Sequence, residues 1–131
     1  MAVFLTRSYV LPALHTLGSG DLSSEENLRI FGPCSRLHGH DYRIEVTVTG
    51  PVKGDSGLLV QRELSDEIVE SRLIEKFRLT NLSAFFSNTA GEALASEFFS
   101  ILRTHFPDPL RLSSVLVRET PKNSFLVGDL P

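Results

Sequence analysis

Residues 31–50 read FGPCSRLHGHDYRIEVTVTG, and this stretch predicts more about the fold than any other part of the chain. From 41 to 49 apolar and polar side chains alternate. A period of two residues is typical of a strand with one buried face. The polar face of this strand would lie against solvent or at a wet interface with other copies of the chain. The apolar positions are Tyr42, Ile44, Val46 and Val48.

The remaining elements can be placed on either side of this strand. The predicted elements are a strand over 2–14, a loop over 16–37, helices over 61–77 and 89–106, and strands over 111–119 and 123–128. Pro12 favours an edge position for the first strand. Thr89 to Glu92 has the form of a capping box at the start of the second helix. Strands that flank a pair of helices predict an α+β domain with an antiparallel sheet.

Bulk composition narrows the class of protein. A chain of 131 residues suits one domain, which we place at 1–131. A formal net charge of -3 without a basic run argues against nucleic acid as a partner. No apolar stretch approaches the ~20 residues that span a bilayer, so we expect no membrane partner and a cytoplasmic protein. The single cysteine, Cys34, excludes an internal disulfide.

The histidines suggest a metal site. His38 and His40 are two residues apart just before the strand, and if the extended geometry begins there, both imidazoles project on one side. His15, at the end of the first predicted strand, is the candidate third ligand. Three histidines leave a fourth position open, which is typical of catalytic zinc. An H-x-H pair alone also occurs without a metal, and His105, near a helix C-terminus, is interpreted as structural.

Two further residues have chemistry suited to such a site. Cys34 lies four residues before His38, and a nearby cation would favour its thiolate as a base; the alternative is an inert loop cysteine. Glu119 ends a predicted strand, where its carboxylate suits two adjacent N–H donors of a pterin or guanine. The alternative for Glu119 is an ion pair with a nearby cation such as Lys122.

These motifs together resemble a known family. Asn27, the Phe31-Gly32 pair, Cys34, the block His38-Gly39-His40 and Tyr42 are similar to the 6-pyruvoyltetrahydropterin synthase and 6-carboxytetrahydropterin synthase family. The Cys-x-x-x-His-Gly-His spacing is nearest to the bacterial carboxytetrahydropterin branch. Weaker motifs follow in the family's order, namely GLLV at 57–60, GEALA at 91–95 and VRET at 117–120.

The resemblance implies a fold, a reaction and a set of site residues. It implies the tunnelling fold in ββααββ order, with two antiparallel helices on one face of a four-stranded antiparallel sheet. Such subunits form a homohexamer, a dimer of trimers, with sites shared between subunits. It implies a carbon-oxygen lyase acting on dihydroneopterin triphosphate. The implied residues are His15, His38 and His40 for zinc, Cys34 as the base, and Glu119 and Thr89 for the substrate.

The sequence also departs from the family. Family members usually carry an Asp-His pair between the two helices, and here these positions are Arg78 and Leu79. A positioned acid–base group typically contributes ~10²–10⁴ in rate. Two hypotheses follow: a divergent zinc-dependent synthase, and a homo-oligomer that binds zinc and pterin without efficient turnover. A third is another reaction on a pterin or purine, in which Arg78 holds a carboxylate or phosphate.

Overall fold

The computed structural model describes residues 2–52, 54–59 and 62–128. Val60 of the GLLV motif and Gln61, the first residue of the predicted helix, lie outside the described residues. The described elements run along the chain as follows: β1 (Val3–His15), α1 (Ser24–Phe31), a 3-10 turn (Gly32–Ser35), β2 (His38–Gly50), α2 (Arg62–Val69), a π turn (Glu70–Ile74), α3 (Glu75–Phe77), a second 3-10 turn (Leu82–Ala84), α4 (Gly91–Leu102), β3 (Arg111–Thr120) and β4 (Asn123–Gly128).

The four strands form one antiparallel sheet in the order β1-β2-β3-β4. The helical residues between β2 and β3 cover one face, which gives the tunnelling fold and confirms the α+β prediction. Pro12 lies in an edge strand as expected. Strand β2 starts at His38, three residues before the alternation that predicted it. This extension matters because it includes both histidines of the H-x-H pair.

The buried face of the sheet forms the core with the helices. Tyr42, Ile44, Val46 and Val48 are each at most 1% exposed, as the alternation in β2 predicts. On the opposite face Asp41 and Arg43 are exposed, whereas Thr47 and Thr49 are buried. The hydroxyl of Thr47 lies 2.7 Å from that of Thr6, and the hydroxyl of Thr49 donates to the carbonyl of Val3 at 2.7 Å. Hydrogen bonds to the neighbouring strand β1 therefore satisfy part of the polar face of β2.

The helices contact the sheet at two places, Asp66 in α2 and Gly91 in α4. Arg7 donates two hydrogen bonds to the carboxylate of Asp66 in α2, at 3.0 and 2.7 Å. The hydroxyl of Tyr9 donates to the same carboxylate at 2.6 Å. At the start of α4, Gly91 packs so closely on Phe125 of β4 that a side chain at position 91 would overlap the ring. These contacts fix both helical segments on the core face.

The predicted capping box at α4 is wrong. The N-cap residue is Ala90, without a side-chain cap, because the hydroxyl of Thr89 donates instead to the carbonyl of Thr16 at 2.8 Å. The predicted loop over 16–37 contains the helix α1, in which Ser23 caps the first turn by accepting from the backbone N–H of Glu26. Among the described residues, no helix has the length and apolar character needed to cross a membrane.

Candidate metal centre

Strand pairing brings the three histidines together. His15, the last residue of β1, pairs directly with His38, the first residue of β2, and His40 follows on the same face. The ring centroids lie 4.4 Å apart for His15 and His38, 5.0 Å for His15 and His40, and 4.9 Å for His38 and His40. His15 is fully buried, and the other two are partly exposed. The histidines form a triangle at one end of the sheet.

Backbone carbonyls set the tautomers of two of these imidazoles. The Nδ1 of His15 lies 2.9 Å from the carbonyl oxygen of Thr89, and the Nδ1 of His38 lies 2.7 Å from that of Arg36. A carbonyl only accepts, so each Nδ1 carries a proton and donates it. In the neutral ring, Nε2 is then left with a lone pair. A carbonyl that holds the second ring nitrogen is typical of metal-ligating histidine.

Glu119, near the end of β3, brings a carboxylate to the same point. Its Oε1 lies 3.3 Å from the Nε2 of His15 and 3.3 Å from the Nε2 of His40. Both nitrogens are buried without a hydrogen-bond partner among the described residues. One ligand atom from each histidine and one from Glu119 all lie within 4.8 Å of each other. Nitrogen lone pairs facing a carboxylate repel each other unless a cation lies between them, so these residues fit a zinc ion.

Burial favours the neutral imidazoles that a metal requires. Desolvation lowers the pKa of His15, against the opposing effects of the Thr89 carbonyl and the Glu119 charge. The pKa of His40 is also lowered by burial, again with Glu119 opposing. Since a metal competes with protons for the nitrogen lone pair, a lowered pKa keeps these ligands available to lower pH.

Tyr42 contacts the site, although the sequence analysis placed it in the core and in the family motif without a role at the site. Its ring is fully buried, with centroids 5.3 Å from that of His40 and 5.8 Å from that of His15. Its hydroxyl has no hydrogen-bond partner among the described residues. Burial raises its pKa, and the nearby Glu119 charge adds to this effect. Its position two residues after His40, on the same face of a strand, is the sequence signal that could have identified it.

Thr89 contacts the centre through its backbone. The residue is buried, its carbonyl accepts from His15, and its hydroxyl donates to the Thr16 carbonyl. Behind it lies a cavity of about 520 Å³ between α1 and the second 3-10 turn. The polar side chains that line this cavity include those of Asn27, Arg36 and Ser83. This cavity can hold a polar group close to the centre.

The structure does not bring Cys34 into the cluster. The thiol lies on the exposed 3-10 turn, and the residue is fixed through its carbonyl, which accepts from the N–H of Leu17 at 2.8 Å. Arg78 and Leu79 lie along the free edge of β1, because Leu79 donates to the carbonyl of Pro12 at 2.7 Å. Leu79 and His40 line a common cavity of about 300 Å³. Of the histidine triangle and Glu119, His40 alone is among the residues that line this cavity, and the segment at 78–79 brings neither a carboxylate nor an imidazole to it.

Comparisons with known proteins agree with this geometry. The sequence model of the family "6-pyruvoyl tetrahydropterin synthase" matches residues 5–128. A 6-pyruvoyl tetrahydrobiopterin synthase from Drosophila melanogaster is 35% identical over 127 residues, which covers 92% of this chain and 76% of the relative. A 6-carboxy-5,6,7,8-tetrahydropterin synthase from Bacillus subtilis is 45% identical over 38 residues, or 29% of this chain and 26% of that protein.

Solved structures share the architecture over the whole chain. The 6-pyruvoyl tetrahydropterin synthase of Caenorhabditis elegans superposes with a TM-score of 0.85 at 30% identity, covering 99% of this chain and 97% of that one. The Plasmodium falciparum protein of the same name gives a TM-score of 0.70 at 12% identity, covering 98% of both chains, which shows the fold alone. The family match over residues 5–128 and the 35% identity to the Drosophila protein together show that this chain belongs to the 6-pyruvoyl tetrahydropterin synthase family.

Proposed function

We propose that this chain is a zinc-dependent lyase that acts on dihydroneopterin triphosphate or a closely related pterin. The observation that carries the proposal is the convergence of three imidazoles, two of them with carbonyl-fixed tautomers, beside a partly buried carboxylate. His15, His38 and His40 would hold the zinc. When bound, zinc would supply Lewis acidity to an oxygen of the substrate side chain.

The chain's own residues would orient the substrate and move the proton. The Glu119 carboxylate in β3 would accept hydrogen bonds from two adjacent N–H groups of the pterin. Thr89, just before α4, would contact the bound ligand from the other side. Cys34 would take up the proton as a thiolate. Because this thiol is exposed and outside the histidine cluster, it is available to a site completed by another copy of the chain.

A second candidate function is zinc and pterin binding without efficient turnover. The observation that favours it is the pair Arg78 and Leu79, a guanidinium and an apolar side chain at positions that the resemblance assigns to an Asp-His pair. A permanent cation and a leucine cannot relay a proton at neutral pH. In this case the pterin would bind with the same residues and leave unchanged.

We further infer that residues 1–131 act as one pterin synthase-like domain in a cytoplasmic homohexamer, a dimer of trimers. Support comes from the sheet face opposite the helices. Val10, Leu14 and Leu126 are 50%, 37% and 39% exposed there, which is apolar surface that a partner subunit would cover. Mass measurement of the native protein by light scattering tests this assembly, and a monomer at micromolar concentration would contradict it.

The main experiment combines metal content with turnover. We expect about one zinc per chain in the purified protein, and loss of zinc in His38→Ala but not in the matched control His105→Ala. Incubation with dihydroneopterin triphosphate should release triphosphate in the wild type and not in Cys34→Ser. Stoichiometric pterin binding without release supports the second candidate. Retention of full zinc by His38→Ala would overturn the metal assignment and both candidates.

A further inference from the structure

The carboxylate of Glu119 cannot bind a pterin and contact the imidazole nitrogens at the same time. The proposed function, on which this inference rests, uses it to hold the pterin. The structure places its Oε1 between two buried imidazole nitrogens, 3.3 Å from each. Neither nitrogen has a hydrogen-bond partner among the described residues, so these distances are not hydrogen bonds.

The two distances from Glu119 Oε1 match the spacing of neighbouring ligands in a tetrahedral metal site. Ligand atoms about 2.0–2.2 Å from a tetrahedral zinc lie roughly 3.3–3.6 Å from each other. Glu119 Oε1 lies at this distance from both His15 and His40. The tautomer of His15 is fixed by Thr89, so its lone pair faces the carboxylate and no proton lies between them. The oxygen thus lies where a ligand next to His15 and His40 would lie.

We propose that Glu119 is the fourth metal ligand in the pterin-free protein and leaves the metal when a pterin binds its carboxylate. A site with four protein ligands is typical of structural zinc, whereas catalysis requires one open position. Moving Glu119 onto the N–H groups of the pterin ring opens that position for an oxygen of the ligand. The metal is exposed to a ligand oxygen only when a ring with the correct donors is present.

This arrangement makes ligand selection depend on two features of one molecule. A ring with two adjacent N–H donors is needed to withdraw the carboxylate. A side-chain hydroxyl is needed to occupy the vacated position. Small oxygen ligands without such a ring would compete with Glu119 directly, and we therefore expect them to bind the metal weakly.

Cobalt titration of the metal-free full chain tests the proposal. We expect Glu119→Gln to bind Co²⁺ about 10–100-fold more weakly than the wild type, the range found when a group that supports metal ligands is removed. Its visible absorption should also differ, because water replaces the carboxylate. Glu92→Gln, an exposed carboxylate in the first turn of α4, is the matched control and should bind like the wild type.

Two pterins then resolve the two roles of Glu119. Neopterin, with side-chain hydroxyls, and unsubstituted pterin should each change the Co²⁺ spectrum of the wild type, and the two changes should differ. Neither should change the spectrum of Glu119→Gln. Glu119→Asp, which keeps the charge at shorter reach, should lie between wild type and Gln, and far-UV circular dichroism checks that each variant is folded.

The outcomes separate this inference from the proposed function. If Glu119→Gln binds Co²⁺ with wild-type affinity and spectrum but loses neopterin binding, the carboxylate is only a pterin clamp and the inference is wrong. If wild type and His38→Ala bind Co²⁺ equally, the histidines are not the metal site, and the proposed function fails as well.

Discussion

The histidine triangle and the Cys34 turn are only four residues apart in sequence but differ in how the fold holds them. Strand pairing sets His15 opposite His38, and backbone carbonyls fix both rings. Cys34 lies on an exposed turn, and no backbone carbonyl among the described residues holds its thiol in the same way. The candidate metal-binding part of the motif is therefore organised within a single chain, whereas the role of the thiol depends on what contacts that turn. Metal binding and turnover should consequently respond to different changes.

The largest expected effect is on metal binding at the most buried position. His15→Ala removes a fully buried candidate ligand. We expect the zinc affinity to fall by more than about 100-fold, the upper end of the loss seen for outer-shell partners alone. Competition with a chromophoric chelator measures this affinity. The matched change Cys34→Ser should leave it within a few-fold of the wild type.

Equal loss of zinc in His15→Ala and Cys34→Ser would contradict the proposed difference between the histidine triangle and the Cys34 turn. It would place the thiol among the metal ligands and require the 3-10 turn to fold over the triangle. Loss of zinc in neither variant would place the metal elsewhere.

The next effect is on the pH dependence of the metal-free protein. Burial lowers the pKa of His15 and His40, so the unfolded chain binds more protons than the folded chain below pH ~6.5. The stabilisation by the neutral rings is complete above that pH. It is lost as the pH falls towards the folded pKa values, at about 1.4 kcal/mol for each unit of pKa difference.

Urea unfolding of chelator-treated protein at several pH values measures this dependence. In His15→Gln, a side-chain amide can still donate to the Thr89 carbonyl but does not titrate, so the loss of stability on acidification should be smaller. An unchanged pH dependence would show that His15 is not held neutral by burial.

Sequence periodicity predicted the frame of the molecule better than its contacts. Extending the β2 alternation back to position 38 places His38 and His40 on one face, whereas the position of His15 opposite His38 depends on the register of β1 and β2. The carbonyls of Thr89 and Arg36 could not be foreseen, because backbone acceptors have no residue-specific signal. The hydroxyl of Thr89 was assigned to a helix cap, although tertiary packing directs it to Thr16.

The approach of Glu119 to the imidazoles was equally hidden. The sequence predicted a carboxylate at the end of a strand. Its distance to the histidines depends on β3 lying beside β2 with Arg43 opposite Arg118. Hydrophobic patterns encode neither this register nor the order of the strands in the sheet. The roles of the site residues remain predictions that the experiments above address.

The two tyrosines of the chain provide a smaller and opposing pair of effects. The hydroxyl of Tyr42 is buried without a partner among the described residues, whereas that of Tyr9 donates to Asp66 at 2.6 Å. An unsatisfied buried polar group costs about 1–3 kcal/mol, and a hydrogen bond to a charged group contributes about 1.5–3 kcal/mol. In metal-free protein we expect Tyr42→Phe to unfold at equal or higher urea concentration than the wild type. Tyr9→Phe should unfold at lower concentration.

Destabilisation of the metal-free protein by Tyr42→Phe would show that its hydroxyl has a partner, such as an ordered water. In that case the hydroxyl next to the histidine triangle would already be hydrogen-bonded in the metal-free protein, and Tyr42 and Tyr9 would no longer differ in this respect.

The smallest effect concerns the backbone that pairs with the edge of β1. Leu79 has φ of 57°, in the left-handed region, and its side chain is 71% exposed. Its N–H donates to Pro12 and the carbonyl of Thr80 accepts from Leu14, so β1 holds this backbone in place. Such a conformation costs a leucine about 1–2 kcal/mol that glycine avoids. We expect Leu79→Gly to raise the free energy of unfolding by about 0.5–1 kcal/mol, since glycine also gains entropy when unfolded.

Arg78→Gly is the matched control for Leu79→Gly, because Arg78 has φ of -55° and gains nothing from glycine. It should lower the free energy of unfolding by a similar small amount, as measured by urea denaturation. Stabilisation by both substitutions would instead indicate that the whole turn is strained. If only Leu79→Gly stabilises, the fold fixes the backbone at position 79 whatever side chain it carries. An imidazole introduced there by Leu79→His would then occupy a prepared position in the cavity that His40 also lines, and the departure from the family's Asp-His pair would be a matter of side chains rather than of architecture.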